Sequence, residues 1–201
     1  MMSLIRNAWT SGLNAELTRL RLAEWMLIES WKKEMKGMSP EWNRLDPNTR
    51  ALIAQFQDEP PVRLPALARA LGISVKSATL GPGISGEIRP MPDDTGYVIR
   101  INRHDPPKRQ RFTVAHELAH FLLHRDDIGN GIEDDVLYRS GLSDKREQQA
   151  NRLAADILMP ENLLNEAKEA AEEKGVGDIP LFLAELFGVS EAAMRIKVEQ
   201  R

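Results

Sequence analysis

The sequence predicts an α+β protein: a small antiparallel sheet packed against one helix, with a helical extension before it and a helical segment after it. Three observations carry this. Apolar residues recur at three- and four-residue steps over 13–35 and again over 150–158, the period of amphipathic helices. Alternation of apolar and polar residues is confined to Ile84–Arg89 and Tyr97–Asn102, which read as the two strands of a hairpin. After them, a helix over about 108–124 carries the pattern His116-Glu117-Leu118-Ala119-His120.

The elements follow in order. Leu13, Leu17, Leu20, Leu27, Ile28, Trp31 and Met35 mark one stripe of a long helix. Such a helix covers the core or pairs with a partner, self-association included, and the oligomeric state is left open. Gly37, Pro40 and Asp46-Pro47 then punctuate the chain, and a short helix over Pro47–Gln57 turns Leu52, Ile53 and Phe56 inward. Asp58-Glu59-Pro60-Pro61 reads as a linker. Pro65–Leu71 forms a helix stopped by Gly72, Ile73–Val75 is extended, and Gly81-Pro82-Gly83 breaks the chain before the hairpin. Pro106-Pro107 closes the strand region. A loop rich in acids and glycine spans 126–143, a helix runs over 144–159 to Pro160, and helices over 161–174 and 179–198 complete the chain.

Composition narrows the function classes. The 201 residues are 42% hydrophobic, 5% aromatic and 28% charged, and the formal net charge is −3. No global basic field draws the chain to nucleic acid or anionic lipid. Cysteine is absent, so disulfides and thiolate zinc sites are excluded, and any metal must sit on nitrogen and oxygen ligands. The N-terminus lacks a signal-peptide core, and no apolar run approaches the roughly 18 residues of a membrane span. A cytoplasmic location and no membrane partner are the expectations.

The histidines are concentrated: three of the four lie between positions 116 and 124. Side chains four apart on a helix share a face, with Cβ atoms about 5–6 Å apart. His116 and His120 can therefore reach one metal ion, and Glu117 stands beside it as a general base. The flanking runs Phe112-Thr113-Val114-Ala115 and Phe121-Leu122-Leu123 bury this helix, where two histidines and a glutamate are costly without a metal or hydrogen-bond partners.

A catalytic zinc site wants three protein ligands and an open position. His124, about 12 Å along the axis from His116 at about 1.5 Å per residue, cannot join the other two on one ion. The extended pattern HExxHxxGxxH fails at Leu123 and Asp126. A carboxylate on a second helix is the alternative, and Glu147 fits best, 27 residues after His120 (147 − 120). It stands at the edge of a face bearing Ala150, Asn151 and Ala154. Asp144, Glu133, Asp134 and Asp135 compete, though N-capping or solvation explains them. Zinc on such ligands lowers the pKa of a bound water toward about 7. Glu117 then takes the water's proton during attack on a peptide carbonyl and passes it to the leaving amine. Asn151, one turn after Glu147, is placed to orient ligands. Tyr138 and His124 are oxyanion-stabilising candidates by residue type alone, and neither is assigned.

The stretch Arg109-Gln110-Arg111-Phe112-Thr113-Val114-Ala115-His116-Glu117-Leu118-Ala119-His120-Phe121-Leu122-Leu123-His124 resembles the signature of the ImmA/IrrE family of zincin-like metallopeptidases. So does the run from Glu147 through Ala150-Asn151 to Leu158-Met159-Pro160, similar to that family's E-x-x-A-N…A-x-x-L-L-M-P segment. Leu67–Gly72, Ile84-Ser85-Gly86 and Leu183–Met194 match in kind, and the similarity covers about residues 62–198. The resemblance implies a zincin-like fold, zinc ligands at His116, His120 and Glu147, and site-specific cleavage of helix-turn-helix transcriptional repressors that govern stress or mobile-element genes. With the boundary at the Asp58–Pro61 linker, the expected organisation is a helical N-terminal extension (1–60), on which the resemblance is silent, a metallopeptidase domain (61–160) and a helical, helix-turn-helix-like C-terminal segment (161–201) packed on it.

Two rivals stand beside this reading. One is a DNA-binding regulator, since Leu67–Ser74 and Leu183–Ser190 each resemble the turn of a helix-turn-helix. Direct nucleic-acid binding is disfavoured, because Gly81-Pro82-Gly83 leaves little room for a first recognition helix and the second lacks a basic face. The other is a non-catalytic interaction module of a phage or toxin–antitoxin system. A further expectation concerns substrate: Tyr97–Asn102, as an edge strand, would pair with an extended peptide.

Overall fold

The computed structural model of the chain describes residues 39–92, 95–130, 132–133 and 141–199. The helix expected over Leu13–Met35 lies outside them, as do Tyr138, Asp134, Asp135 and the side chains of Glu133 and Asp144. Among the described residues the architecture is α+β, with eight α-helices around one small sheet.

Two short helices open it. In α1 (Pro40–Arg44) the Ser39 hydroxyl accepts the Trp42 N–H at 3.1 Å, and in α2 (Pro47–Ala54) Asp46 accepts those of Asn48 and Thr49 at 3.0 Å. Each pairs a side-chain cap with proline at the first helical position, where no backbone donor is needed. Helix α3 (Leu64–Ala70) ends just before Gly72, whose φ of +76° suits a residue without a Cβ. The chain then enters β1 (Ile73–Ala78), β2 (Gly86–Pro90) and β3 (Tyr97–Asn102).

The sheet is mixed, which corrects the antiparallel expectation. Its strand order is β1-β3-β2-β4, where β4 is the two-residue Ile132–Glu133. The expected hairpin is present, with Ile88 opposite Ile99. However, the link through Gly81-Pro82-Gly83 carries β2 one strand position beyond β1, and β3 returns into the gap. That makes β3 parallel to β1, with Val75 beside Ile99. It also removes the expected edge: Tyr97–Asn102 is an interior strand, its backbone groups already shared between β1 and β2. Alternation turns Val75, Ile88, Ile99 and Tyr97 toward the core and Lys76, Arg100 and Glu87 away from it.

Helix α4 (Pro107–Leu123) crosses the inner face of this sheet. Its far side packs along α5 (Gly141–Leu158), so its middle is buried on all sides from Thr113 to Phe121. Small residues permit this: Ala115, Ala119, Ala150 and Ala154 are wholly buried between the elements. Gly86 is the tightest point. A Cβ there would fall 2.2 Å from Thr113 Cγ2, 3.3 Å from the Arg100 carbonyl oxygen and 3.3 Å from Glu117 Oε1. After α4 a 3₁₀ turn (Arg125–Asn130) begins with the Arg125 guanidinium 4.9 Å from the Phe121 ring and 5.4 Å from that of Tyr97. Helices α6 (Glu161–Glu173), α7 (Ile179–Phe187) and α8 (Glu191–Glu199) close the structure, with Gly188 at φ +65° ending α7.

Polar bonds fix α5 from both ends of the described residues. Arg152 donates to both Glu41 oxygens at 2.8 and 2.9 Å. Asp156 accepts the Ser39 N–H at 2.9 Å and the Lys197 ammonium at 3.0 Å, all deep in the protein. Gln57 donates to the carbonyls of Asp156 and Ile157. No helix of the described residues is long and apolar enough to cross a membrane.

Two predictions follow from this packing. Gly86→Ala forces β2 away from α4 and costs about 1–3 kcal/mol of stability, whereas Gly81→Ala, whose Cβ meets only Ile84 at an ordinary 3.6 Å, leaves stability near the parent value. Chemical denaturation of the two variants checks this. Burial alone would raise the Glu41 carboxyl, but hydrogen bonds and charge from Arg152 outweigh it and hold Glu41 below its ordinary value. The ion pair therefore adds stability above the ordinary carboxylate range, and this is lost as pH falls through the depressed folded value. Denaturant titrations below about pH 5 show a shallower acid loss in Glu41→Gln than in the parent chain.

Candidate metal centre

Helices α4 and α5 bring His116, His120 and Glu147 together. One ligand-capable atom from each lies within 4.8 Å of the others. His116 Nε2 is 3.1 Å from Glu147 Oε2, His120 Nε2 is 3.2 Å from Glu147 Oε1, and the two Nε2 atoms are 2.9 Å apart. The one-turn spacing on α4 sets the imidazoles side by side, with ring centroids 4.6 Å apart. The close crossing of α5 supplies the carboxylate from the facing helix. Among the described residues no other group of three such side chains converges.

Burial is deep on the α4 side and lighter on the α5 side. His116, Glu117 and His120 are 5%, 1% and 2% exposed, whereas the Glu147 side chain keeps 34% of its surface open to solvent. Burial, and then the neighbouring His116, push the His120 imidazolium below its ordinary range, favouring the neutral ring. For Glu147, burial acts upward, but hydrogen bonds and charge from His116 and His120 prevail and hold its carboxyl well below the carboxylate range. Those bonds need a hydrogen on a facing Nε2, and once it leaves, the neutral rings and the carboxylate are in the forms that ligate a cation.

The hydrogen bonds behind the rings orient them. The Asn151 side-chain oxygen lies 2.9 Å from His116 Nδ1. An amide oxygen only accepts, so Nδ1 carries the hydrogen and the neutral ring presents a bare lone pair at Nε2. That lone pair points at the second imidazole and the carboxylate. Three electron-rich groups held this closely suit a divalent cation, and two nitrogens with a carboxylate and no thiolate form a donor set that fits zinc with an open position.

Glu117 sits where the sequence placed it, on α4 between the two histidines, with its carboxylate buried against Gly86 of β2. Asn151 also occupies its expected place. Two features were not foreseen. Gly86 brings the sheet onto Glu117, and an isolated glycine inside a strand pattern is the signal that could have shown it. His124 lies behind His120, with Nδ1 3.2 Å from His120 Nδ1 and Nε2 3.1 Å from Gln149 Oε1. Nothing in one sequence marks that pair, 25 residues apart.

Comparison with known proteins gives a consistent result. The family described as the IrrE N-terminal-like domain (Peptidase_M78) matches residues 68–199. The chain is 42% identical over 78 residues to the radiation response metalloprotease IrrE of Deinococcus radiodurans, which covers 38% of this chain and 24% of that protein. It is 35% identical over 71 residues to the metallopeptidase ImmA of Bacillus subtilis, covering 35% of this chain and 39% of the relative. The matches thus span about a quarter to two-fifths of those relatives' length. A solved structure of a Mycobacterium tuberculosis transcriptional regulator is similar in fold, with a TM-score of 0.51 at 21% identity, covering 86% of this chain and 52% of that one.

Proposed function

The chain belongs to the family of the IrrE N-terminal-like domain, and from that premise we propose that it is a zinc-dependent endopeptidase that cuts a regulatory protein, in the first instance a helix-turn-helix transcriptional repressor. The observation that carries the reading is the convergence of His116, His120 and Glu147 beside the buried Glu117. The names of the relatives, metalloprotease and metallopeptidase, support the same chemistry. The family resemblance supports the zincin-like fold, and a repressor substrate would set the work in the cytoplasm.

In this reading His116, His120 and Glu147 hold the zinc, which when bound polarises the scissile carbonyl and acidifies a water. Glu117 takes the proton from the attacking water and gives it to the leaving amine. Its neighbourhood suits that task, because a carboxylate buried between a helix and a glycine of the sheet has few conformations and little competing water. Asn151 keeps the His116 lone pair aimed inward. The 34% exposure of Glu147 leaves an approach from solvent on the α5 side.

The DNA-binding alternative finds less support. Where Leu67–Ser74 would need a recognition helix, β1 follows instead. The second candidate does have helix on both sides of Gly188, but α8 buries Met194, Ile196 and Lys197. Its exposed cation, Arg195, is already paired with Glu191 and Asp178. Such a helix offers little to a phosphate backbone or a major groove.

Metal analysis and co-expression test the proposal. Purified chain is expected to take up one zinc, and Glu147→Ala to weaken its hold by more than about a hundredfold, beyond the loss typical of groups behind the ligands. Glu117→Gln keeps the zinc and lowers cleavage of a co-expressed repressor by about 10²–10⁴-fold. Zinc-loaded wild type that leaves every co-expressed helix-turn-helix repressor intact would favour the interaction module.

A further inference from the structure

We infer that His124 and Gln149 are positioning residues that fix which nitrogen of His120 is bare. The inference rests on the metallopeptidase reading above and extends it to residues outside the ligand set. Each imidazole on α4 has two nitrogens, and only an unprotonated Nε2 facing Glu147 can ligate. For His116 one amide settles the matter. For His120 the nitrogen turned away from the site meets another histidine: Nδ1 lies 3.2 Å from His124 Nδ1. Two such nitrogens can share one hydrogen in either sense, so this contact alone leaves the polarity open.

Gln149 closes it. Its side-chain oxygen lies 3.1 Å from His124 Nε2, and an oxygen accepts. His124 therefore carries its hydrogen on Nε2 and donates to Gln149. The neutral His124 ring then has its lone pair on Nδ1, where it accepts the His120 Nδ1–H. His120 in turn is left with a bare Nε2, 3.2 Å from Glu147 Oε1 and 2.9 Å from His116 Nε2. The hydrogens run in one direction, from His120 to His124 to Gln149. Reversal is damaging: a His124 protonated on Nδ1 donates to His120 Nδ1, moves the His120 hydrogen to Nε2 and blocks the lone pair. Gln149 stands two residues after Glu147, so one helix supplies a ligand and the group that orients another. The His124 ring also packs against that of His120, tilted at 51° with centroids 5.3 Å apart, which limits its rotation.

The test uses the full chain and zinc itself, with affinity measured by competition against a chromophoric chelator. Gln149→Leu and His124→Phe are expected to bind zinc about 10–100-fold more weakly than wild type, at unchanged far-ultraviolet circular dichroism. Gln149→Glu, whose carboxylate accepts in place of the amide oxygen, keeps wild-type affinity. A second readout needs no metal. Nitrogen-15 spectra of metal-free wild type should show His124 protonated on Nε2 and bare on Nδ1, and Gln149→Leu should erode that preference. Unchanged zinc affinity in folded Gln149→Leu and His124→Phe chains, or His124 protonated on Nδ1 in metal-free wild type, overturns the inference. Wild type that binds no zinc defeats the metallopeptidase reading instead, and the metal-free spectra still decide the polarity of the chain.

Discussion

The structure depends on burying the middle of α4. A helix sealed between a sheet and another helix ordinarily carries apolar residues throughout, yet this one carries His116, Glu117 and His120 at its most enclosed point. Burying such groups is costly unless they are paired, hydrogen-bonded or bound to a cation. Much else in the fold answers that demand. Alanines at 115, 119, 150 and 154 and the bare Cα of Gly86 let α5 and β2 come close enough to supply partners. A bulkier contact layer would bury the same helix more cheaply but would hold Glu147 and Asn151 out of reach.

The close crossing of α4 and α5 is stabilised just beyond the site. Arg152 and Asp156 follow Asn151 on α5 by one and five residues, and each binds groups from elsewhere in the chain. Buried ion pairs are poor sources of net stability, because desolvation offsets most of their attraction. Their value here is specificity of placement. A slide or rotation of α5 would leave Glu41, Asp156 or Lys197 charged and without its partner in the interior. The few arrangements that satisfy all of them are those that keep Glu147 opposite the two imidazoles.

The local features were legible in the sequence, and the non-local ones largely were not. The four-residue histidine spacing, the apolar flanks of α4 and the stop at Pro160 are local, and α4 and α5 appear within a few residues of their expected bounds. Glu147 was reached because ligand geometry eliminates His124, while an amphipathic second helix offers few carboxylates on its inner edge. Sheet order failed for a physical reason. Alternation shows that Ile84–Arg89 and Tyr97–Asn102 pair, but not that β3 slips between β1 and β2, since pairing between β1 and β3 links residues some two dozen positions apart. The edge-strand expectation failed with it. The junction of Ser39, Asp156 and Lys197 was also invisible, because it joins three distant segments through groups that look like ordinary surface charges.

Both imidazoles take their orientation from α5, though by different routes. His116 meets Asn151 directly, while His120 reaches Gln149 through His124. Together with Glu147, this makes three positions of one helix, 147, 149 and 151, the source of one candidate ligand and of the aim of the other two. The arrangement accounts for a third candidate ligand that stands on a helix and not on a loop. A loop carboxylate could meet a cation, but it could not hold two amides in register with two rings on a facing helix. It also explains why α5 is tied at Arg152 and Asp156, immediately after this segment. The direct route has one hydrogen bond and tolerates small shifts of α5. The indirect route has two bonds in series, so displacement of Gln149 is felt at His120 even where Asn151 keeps its contact. Of the two histidines, His120 is therefore the one whose lone pair is more sensitive to how α5 is seated.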